Sequence, residues 1–302
     1  MTYSIIARDP DTGALGGAVQ SHLVNAGVHT LFGEAGVGIV IAQMMADRSY
    51  GTRGLEAMQS GRSANDALAA ALSLDPASAT RQVAMLDAGG GVAAFTGAQC
   101  VACSSHITGD GVSVQGAMCR RAETPHAMLA AFTAARGPFA DRLVAALDAA
   151  EQAGGDMRGQ RAAALLVVSG TVSAEPWRDR LVDLRVEDHP RALDELRRLV
   201  ALHRLNARAN DALELALGGR AAESLALFAE LEAEKPEDPD VAFRHALVLT
   251  LTGSVDHARL RLEHCYRLHD GWRELVTRLP AAGLVPDDPE VVARLGGRAH
   301  PS

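Results

Sequence analysis

The sequence predicts an α+β fold in which antiparallel sheets are covered by helices, followed by a separate all-α segment. Three observations predict it. Short β-like runs in the first half are joined by connections too short for parallel crossovers. Ala-rich helical stretches and one purely apolar strand come next. After Asp188-His189-Pro190 the chain changes to helix rich in Leu, Ala, Arg and Glu.

The elements follow in order. Tyr3 to Arg8 is the first strand and Ala14 to Ser21 its return. Between them Asp9-Pro10-Asp11-Thr12-Gly13 places a Pro and a Gly in five residues, a hairpin signal. His29 to Phe32 and Val37 to Gln43 read as a second hairpin around Glu34-Ala35-Gly36. Helices are expected over Arg53 to Met58 and over Ser63 to Leu72, with Ser63 as N-cap. Gln82 to Leu86 and Val92 to Thr96 form a third hairpin, and Val112 to Met118 another strand. Two Ala-rich helices run from about Pro125 to Ala135 and from Phe139 to Ala153. Ala162 to Val168 is small and apolar throughout, the pattern of a strand buried on both faces. Val182 to Val186 closes a first domain of residues 1–190.

The second domain, residues 191–302, carries a repeat. Gly219-Arg220-Ala221-Ala222-Glu223 is echoed by Gly253-Ser254-Val255-Asp256-His257, and the glycines lie 34 residues apart, the tetratricopeptide period. Asp238-Pro239 supplies the break between the repeats. Fewer than three repeats make a helical appendage rather than a solenoid. The tail from Gly283 is punctuated by Pro and Gly, and its end is expected to be disordered.

Composition excludes several classes. A net charge of -8 argues against nucleic-acid binding, which needs a basic surface. Arg8, Asp9 and Asp11 stand where a signal peptide has its apolar segment, and no run reaches the roughly 18 apolar residues of a membrane helix. A cytoplasmic protein without membrane contact is the expectation. Four cysteines in 302 residues read as cytosolic thiols rather than a disulfide framework.

The candidate chemistry begins at Thr2. Thr2 is small enough for methionine aminopeptidase to remove Met1, which would leave a hydroxyl and a free amine on one residue. That pair combines a nucleophile with its own base. Gln20, Ser21 and His22 end the return strand beside Thr2, although the same spacing suits a plain edge hairpin. Gln115-Gly116 at a strand end has backbone N–H groups for an oxyanion. Asp156 and Arg158 sit in a glycine-rich turn before the buried strand, either at a cleft or as a solvated pair. Glu34, Asp47 and Tyr50 are further polar groups near turns. Cys100, Cys103, His106 and Cys119 have the composition of a zinc site. Val101-Ala102 reads as strand, which would turn the first two thiols to opposite faces, so buried thiols and no metal are expected.

Taken together these segments resemble the domain of unknown function 1028. The resemblance rests on Tyr3 through Gly13, Ala35-Gly36-Val37-Gly38, Gln43, Tyr50-Gly51 with Gly54-Leu55, Thr96-Gly97, Gln115-Gly116, Gly154-Gly155-Asp156 with Arg158-Gly159, and Asp183 through Pro190. It covers residues 2–190. That family is placed among the N-terminal-nucleophile hydrolases, which implies a four-layer αββα sandwich. It also implies hydrolysis of a small amide or ureide by a processed Thr2, without a cofactor. The oxyanion would rest on donors around Gln115 and Gly116, with Gln20, Ser21, His22, Gln43, Asp156 and Arg158 as substrate contacts. The C-terminal part is similar to a helical extension described as peptidoglycan-binding, which implies a protein or peptidoglycan-fragment partner; a homodimer is a further expectation. The chain departs from the family pattern at Ala117, where Asn is usual, and at Arg161 and Ala162, where Gln and Ser are common. The competing expectation is a non-catalytic binding protein with the helical repeat as its contact surface.

Overall fold

The first hairpin closes where the sequence places it. In the computed structural model, which describes residues 2–296, the Asp9 amide donates to Ala14 and the Thr12 hydroxyl to the Asp9 carboxylate at 2.6 Å. This turn joins β1 (Thr2–Arg8) to β2 (Leu15–Ser21). A short helix α1 (Ala26–Thr30) then leads into β3 (Leu31–Glu34) and β4 (Gly38–Met44). The second hairpin therefore begins at Leu31, and His29, expected in a strand, ends α1 instead.

Helix α2 (Ser49–Gln59) starts four residues before the predicted Arg53. Asp47 explains the early start, because its carboxylate accepts from the Ser49 amide at 2.9 Å. Helix α3 (Ala64–Ser73) is capped by Ser63, whose hydroxyl accepts from the Asp66 amide. Strands β5 (Arg81–Asp87), β6 (Val92–Thr96), β7 (Ser105–Gly109) and β8 (Val112–Ala117) follow. Helices α4 (Thr124–Ala134) and α5 (Phe139–Gln152) precede β9 (Ala162–Val168) and β10 (Arg180–Val186).

Two antiparallel sheets result, one ordered β10-β9-β2-β1-β8-β7 and the other β3-β4-β5-β6. Alternation along the strands sorts the side chains into layers. In the six-stranded sheet Tyr3, Ile5, Ala18, Val114 and Leu165 face α4 and α5, packing on Met128, Phe132, Leu143 and Leu147. Ile6, Leu15, Val19, Leu166 and Val168 face the other way and meet Ile39, Ile41, Ala84 and Leu86 of the four-stranded sheet. The outer face of that second sheet (Val40, Val83, Met85) is covered by Tyr50, Met58, Ala67 and Leu68 of α2 and α3. Strand β9 is buried along its whole length, as its composition predicts. Strand β1 has β2 on one side and β8 on the other, so the first hairpin is internal to the sheet rather than an edge.

Compact units divide at Val200/Ala201, within helix α6 (Ala192–Leu217) and ten residues beyond the boundary read from Pro190. The second unit contains α7 (Ala221–Glu234), α8 (Pro239–Leu251), α9 (Val255–Leu268), α10 (Gly271–Arg278) and α11 (Pro289–Leu295). The repeat glycines are helix stops: Gly219 and Gly253 take φ of 79° and 82°, a left-handed conformation that side chains resist. Asp238 caps α8 by accepting from the amides of Asp240 and Val241, with Pro239 in the first turn. Phe228 and Leu231 pack with Val241 and Val248, and Tyr266 with Leu262 and Val276. Helix α11 forms inside the Pro/Gly-punctuated tail; Met1 and the chain end beyond Gly296 lie outside the described residues. Among the described residues no helix is long and apolar enough to cross a membrane.

Candidate active site around Thr2

Thr2 opens β1 and is 6 % exposed. Its register neighbours are Ser21 of β2 on one side and Ala117 of β8 on the other. The Thr2 and Ser21 hydroxyls are 2.9 Å apart, and the Leu23 amide donates to Ser21 Oγ at 3.1 Å. From the second sheet, Gln43 Nε2 donates to the Thr2 carbonyl at 3.1 Å. Thr2 is thus held at both its hydroxyl and its carbonyl, by side chains from β2 and β4.

Gln43 belongs to a polar layer between the sheets. Its Oε1 accepts from Ser4 Oγ at 2.7 Å, and its Nε2 also reaches Gln82 Oε1. Gln82, directly opposite Gln43 in the ladder, donates to Thr96 Oγ1, the Ser105 carbonyl and the Gly116 carbonyl at 3.0–3.2 Å. Thr96 meets His106 Nδ1 at 2.8 Å. Burial pushes the His106 pKa below its ordinary value, so this layer is neutral. Sequence reasoning missed Ser4 and Gln82, and weighed His106 only as a metal ligand. A usable signal existed for the first two, since each is polar at a strand position whose alternation points into the core.

The Asp156–Arg158 turn joins the same end of the sheet. Cys119, two residues beyond Ala117, bridges Asp156 through the backbone. The buried Asp156 carboxylate accepts from the Arg158 amide at 2.8 Å and from its guanidinium at 3.4 Å. His22, following Ser21, meets the Gly159 carbonyl through Nδ1 at 3.2 Å. Ser21, His22, Asp156 and Arg158 therefore gather where Thr2 begins.

Two expected contacts fall elsewhere. Gln20 pairs with Tyr3 and lies on the helix-facing side of the sheet, opposite to Thr2 and Ser21. Both polar atoms of its amide are buried without a hydrogen bond among the described residues. Gln115 faces the interlayer, where its Oε1 accepts from Ser113 Oγ at 3.0 Å. Gln115 and Gly116 lie in a strand paired on both sides, so their backbone N–H groups are spent on the ladders and are not oxyanion donors. Gly116 has a packing role instead: a Cβ there would stand 2.7 Å from Cys119 Sγ.

The backbone departs from common conformations on both sides of Thr2. Met44, next to Gln43, has φ of 71°, and Met118, next to Ala117, has φ of 50°. Left-handed non-glycine residues are uncommon and gather at functional sites. Of the other polar candidates, Glu34 accepts from Gln59 on the surface, and Asp47 caps α2. Tyr50 donates to Asp75, which pairs with Arg81 at 2.8 Å. Arg161 pairs with Asp188 at 2.9 Å.

The cysteines stand differently from their sequence reading in one respect. Val101-Ala102 is a turn leading to Cys103 with φ of 66°, not a strand. Cys100 Sγ donates to the Arg81 carbonyl, Cys103 is exposed, and Cys119 is buried. Burial pushes the Cys119 thiol up to about 11, so it is not a thiolate nucleophile at neutral pH.

Three open clefts of about 250, 210 and 490 Å³ are lined by other residues, and Thr2 is in none of their walls.

Two antiparallel sheets packed face to face, with helices outside them and a hydroxyl-bearing second residue held at one end, define a mixed α+β protein built around the start of its chain. The chain belongs to the family of unknown function DUF1028, which matches residues 2–196. It is similar to the crystal structure of a DUF1028 protein from Silicibacter pomeroyi, with 33 % identity and a TM-score of 0.60 over 66 % of this chain and 88 % of that one. No curated protein matches.

Proposed function

We propose that the protein is an amidohydrolase of the N-terminal-nucleophile class, acting through Thr2 on a small amide or ureide. One observation carries the reading. The residue that Met1 removal would place first is buried, internal to the sheet, and fixed by Ser21 and Gln43 at its two oxygens. Two sheets with helices outside them are what the αββα sandwich of that class requires.

In this reading the free amine of Thr2, with a pKa of about 7.7–8.0, takes the proton as the hydroxyl oxygen attacks the substrate carbonyl. Collapse of the tetrahedral intermediate breaks the C–N bond, and the amine returns the proton to the leaving nitrogen. Water then attacks the ester, and Thr2 recovers its hydroxyl proton as the C–O bond breaks. Ser21 orients the Thr2 hydroxyl. The Arg158 guanidinium, held by Asp156, supplies positive charge for the oxyanion in place of the β8 backbone. No cofactor enters the scheme. We further place the protein in the cytoplasm, as a homodimer, and assign the helical unit a docking role toward a protein or a peptidoglycan fragment.

Intact-mass measurement and turnover on a panel of small amides and ureides test the proposal. The expected result is quantitative loss of Met1, a drop in turnover of roughly a thousandfold or more for Thr2→Ala, and partial activity for Thr2→Ser. Retained Met1 overturns it and leaves the binding-protein reading; an active Thr2→Ala variant overturns it and moves the catalytic site elsewhere.

A further inference from the structure

A cleft of about 490 Å³ lies at the opposite end of β1. Arg8, the last residue of β1, lines it, about 20 Å from Thr2 at the rise of an extended strand. It is therefore separate from the candidate active site.

Two arginines meet in this cleft with different obligations. Arg142 is already compensated: its Nη1 contacts Asp9 Oδ1 at 3.1 Å, and its guanidinium lies 4.8 Å over the Phe132 ring. Arg8 makes no ion pair and no side-chain hydrogen bond among the described residues. Its Nε is buried, as is the Nε of Arg142, and neither atom has a hydrogen-bond partner among the described residues. Such orphaned donors are costly unless something accepts from them.

The Arg8 side chain is packed into place. A Cβ on Gly90 would stand 3.4 Å from its Cδ, and one on Gly13 would stand 3.3 Å from its Nη2. The guanidinium is thereby held between two turns, which lowers the entropic cost of engaging a ligand. Leu129, Phe132 and Val112 add an apolar wall. Asp110 stands exposed at the rim, on the β7–β8 turn.

The charge count selects the ligand. With Arg142 matched by Asp9, Arg8 is the one uncompensated cation among the described lining residues, and Asp110 opposes a second negative charge. A guanidinium fork fits a carboxylate with two parallel hydrogen bonds. We propose that the Arg8 cleft is a binding site for a small monocarboxylate with an apolar or aromatic body, the carboxylate on Arg8 and the body against Leu129 and Phe132.

Calorimetric titration of the full-length protein with benzoate, neutral benzamide and inorganic phosphate tests this. Benzoate is expected to bind saturably, at least about tenfold tighter than benzamide or phosphate, the minimum expected of a charge-assisted pair. Arg8→Gln should weaken benzoate at least about tenfold while leaving benzamide unchanged, with thermal melts confirming the fold. Leu129→Glu places a carboxylate in the wall and should weaken benzoate similarly, so the test survives if Arg8→Gln does not fold. Equal affinity for benzoate and benzamide, tighter binding of phosphate, full binding by either variant, or no saturable benzoate binding overturns the proposal.

Discussion

The space between the two sheets is filled in two different ways. Along most of its length Ile6, Leu15, Val19, Ile39, Ile41, Leu86 and Leu166 meet as an apolar layer. At the Thr2 end the same inward positions are taken by Ser4, Gln43, Gln82 and Gln115. The first region stabilises by area removed from water and has no directional demand. The second gains little by burial, because each amide must replace its water by a partner. Its return is geometric: Gln43 fixes the Thr2 carbonyl, and Gln82 ties the second sheet to Ser105 and Gly116 of the first. One half of the interlayer holds the sheets together, and the other half sets where their ends lie.

The largest expected effect breaks the apolar half. Ile41→Ala should cost about 3–4 kcal/mol, the usual range for a fully buried aliphatic side chain whose site cannot collapse, measured by urea unfolding. Gln82→Leu is nearly isosteric and tests the other half. It removes the partner of Gln43 and leaves two main-chain carbonyls short of a donor, so a loss of about 2–3 kcal/mol is expected despite the gain in hydrophobicity. A neutral or stabilising Gln82→Leu would mean that the polar half is not a specified network.

These two halves were unequally legible in the sequence. Turn and cap chemistry is local, so the Asp9–Gly13 turn, the Ser63 and Asp238 caps and the helix-ending Gly219 and Gly253 could be read directly. The pairings of β1 with β8 and of β2 with β9 could not, because nothing local encodes them. At the site, hairpin register brought Ser21 to Thr2. The same register should have excluded Gln20, since adjacent strand residues point to opposite faces. Gln82 was passed over because a polar residue in a strand reads as solvent-facing, although its alternation with Ala84 and Leu86 marks the inward face.

A charged cluster in the same unit sharpens the contrast. The Arg81 side chain, together with the Ala77 amide and Tyr50 hydroxyl, holds the Asp75 carboxyl at about 2. A carboxylate depressed in the folded state stabilises above its ordinary value near 3.9, and that contribution is lost as pH falls toward 2. Wild-type stability should therefore fall along an acid limb between about pH 4 and 2 that Asp75→Asn reduces. Asp75→Asn itself should cost about 1–2 kcal/mol at pH 7, the value of a charge-assisted bond at a nearly buried site. Ser4, Gln43, Gln82 and Gln115 carry no ionisable group, and burial pushes the pKa of His106, which meets Gln82 through Thr96, below its ordinary value, so the cost of Gln82→Leu should be the same at pH 7 and pH 8.

The smallest effect is the most discriminating. Ser4 touches the network through one bond, its hydroxyl donating to Gln43 Oε1. Ser4→Ala removes that donor and leaves an acceptor unsatisfied, for about 1 kcal/mol. Gln43 would keep its amide nitrogen near the Thr2 carbonyl but lose the bond that fixes its amide plane. If the polar layer only fills space, turnover of the Met-free enzyme should not respond. If it positions the nucleophile, kcat should fall by about tenfold with KM unchanged, because Ser4 is fully buried beneath the proposed site. The pH profile should stay in place, since in the proposed mechanism the base is the Thr2 amine and not a member of the layer. Recovery of kcat in Ser4→Thr, which restores the hydroxyl, would separate lost positioning from a general loosening of the core.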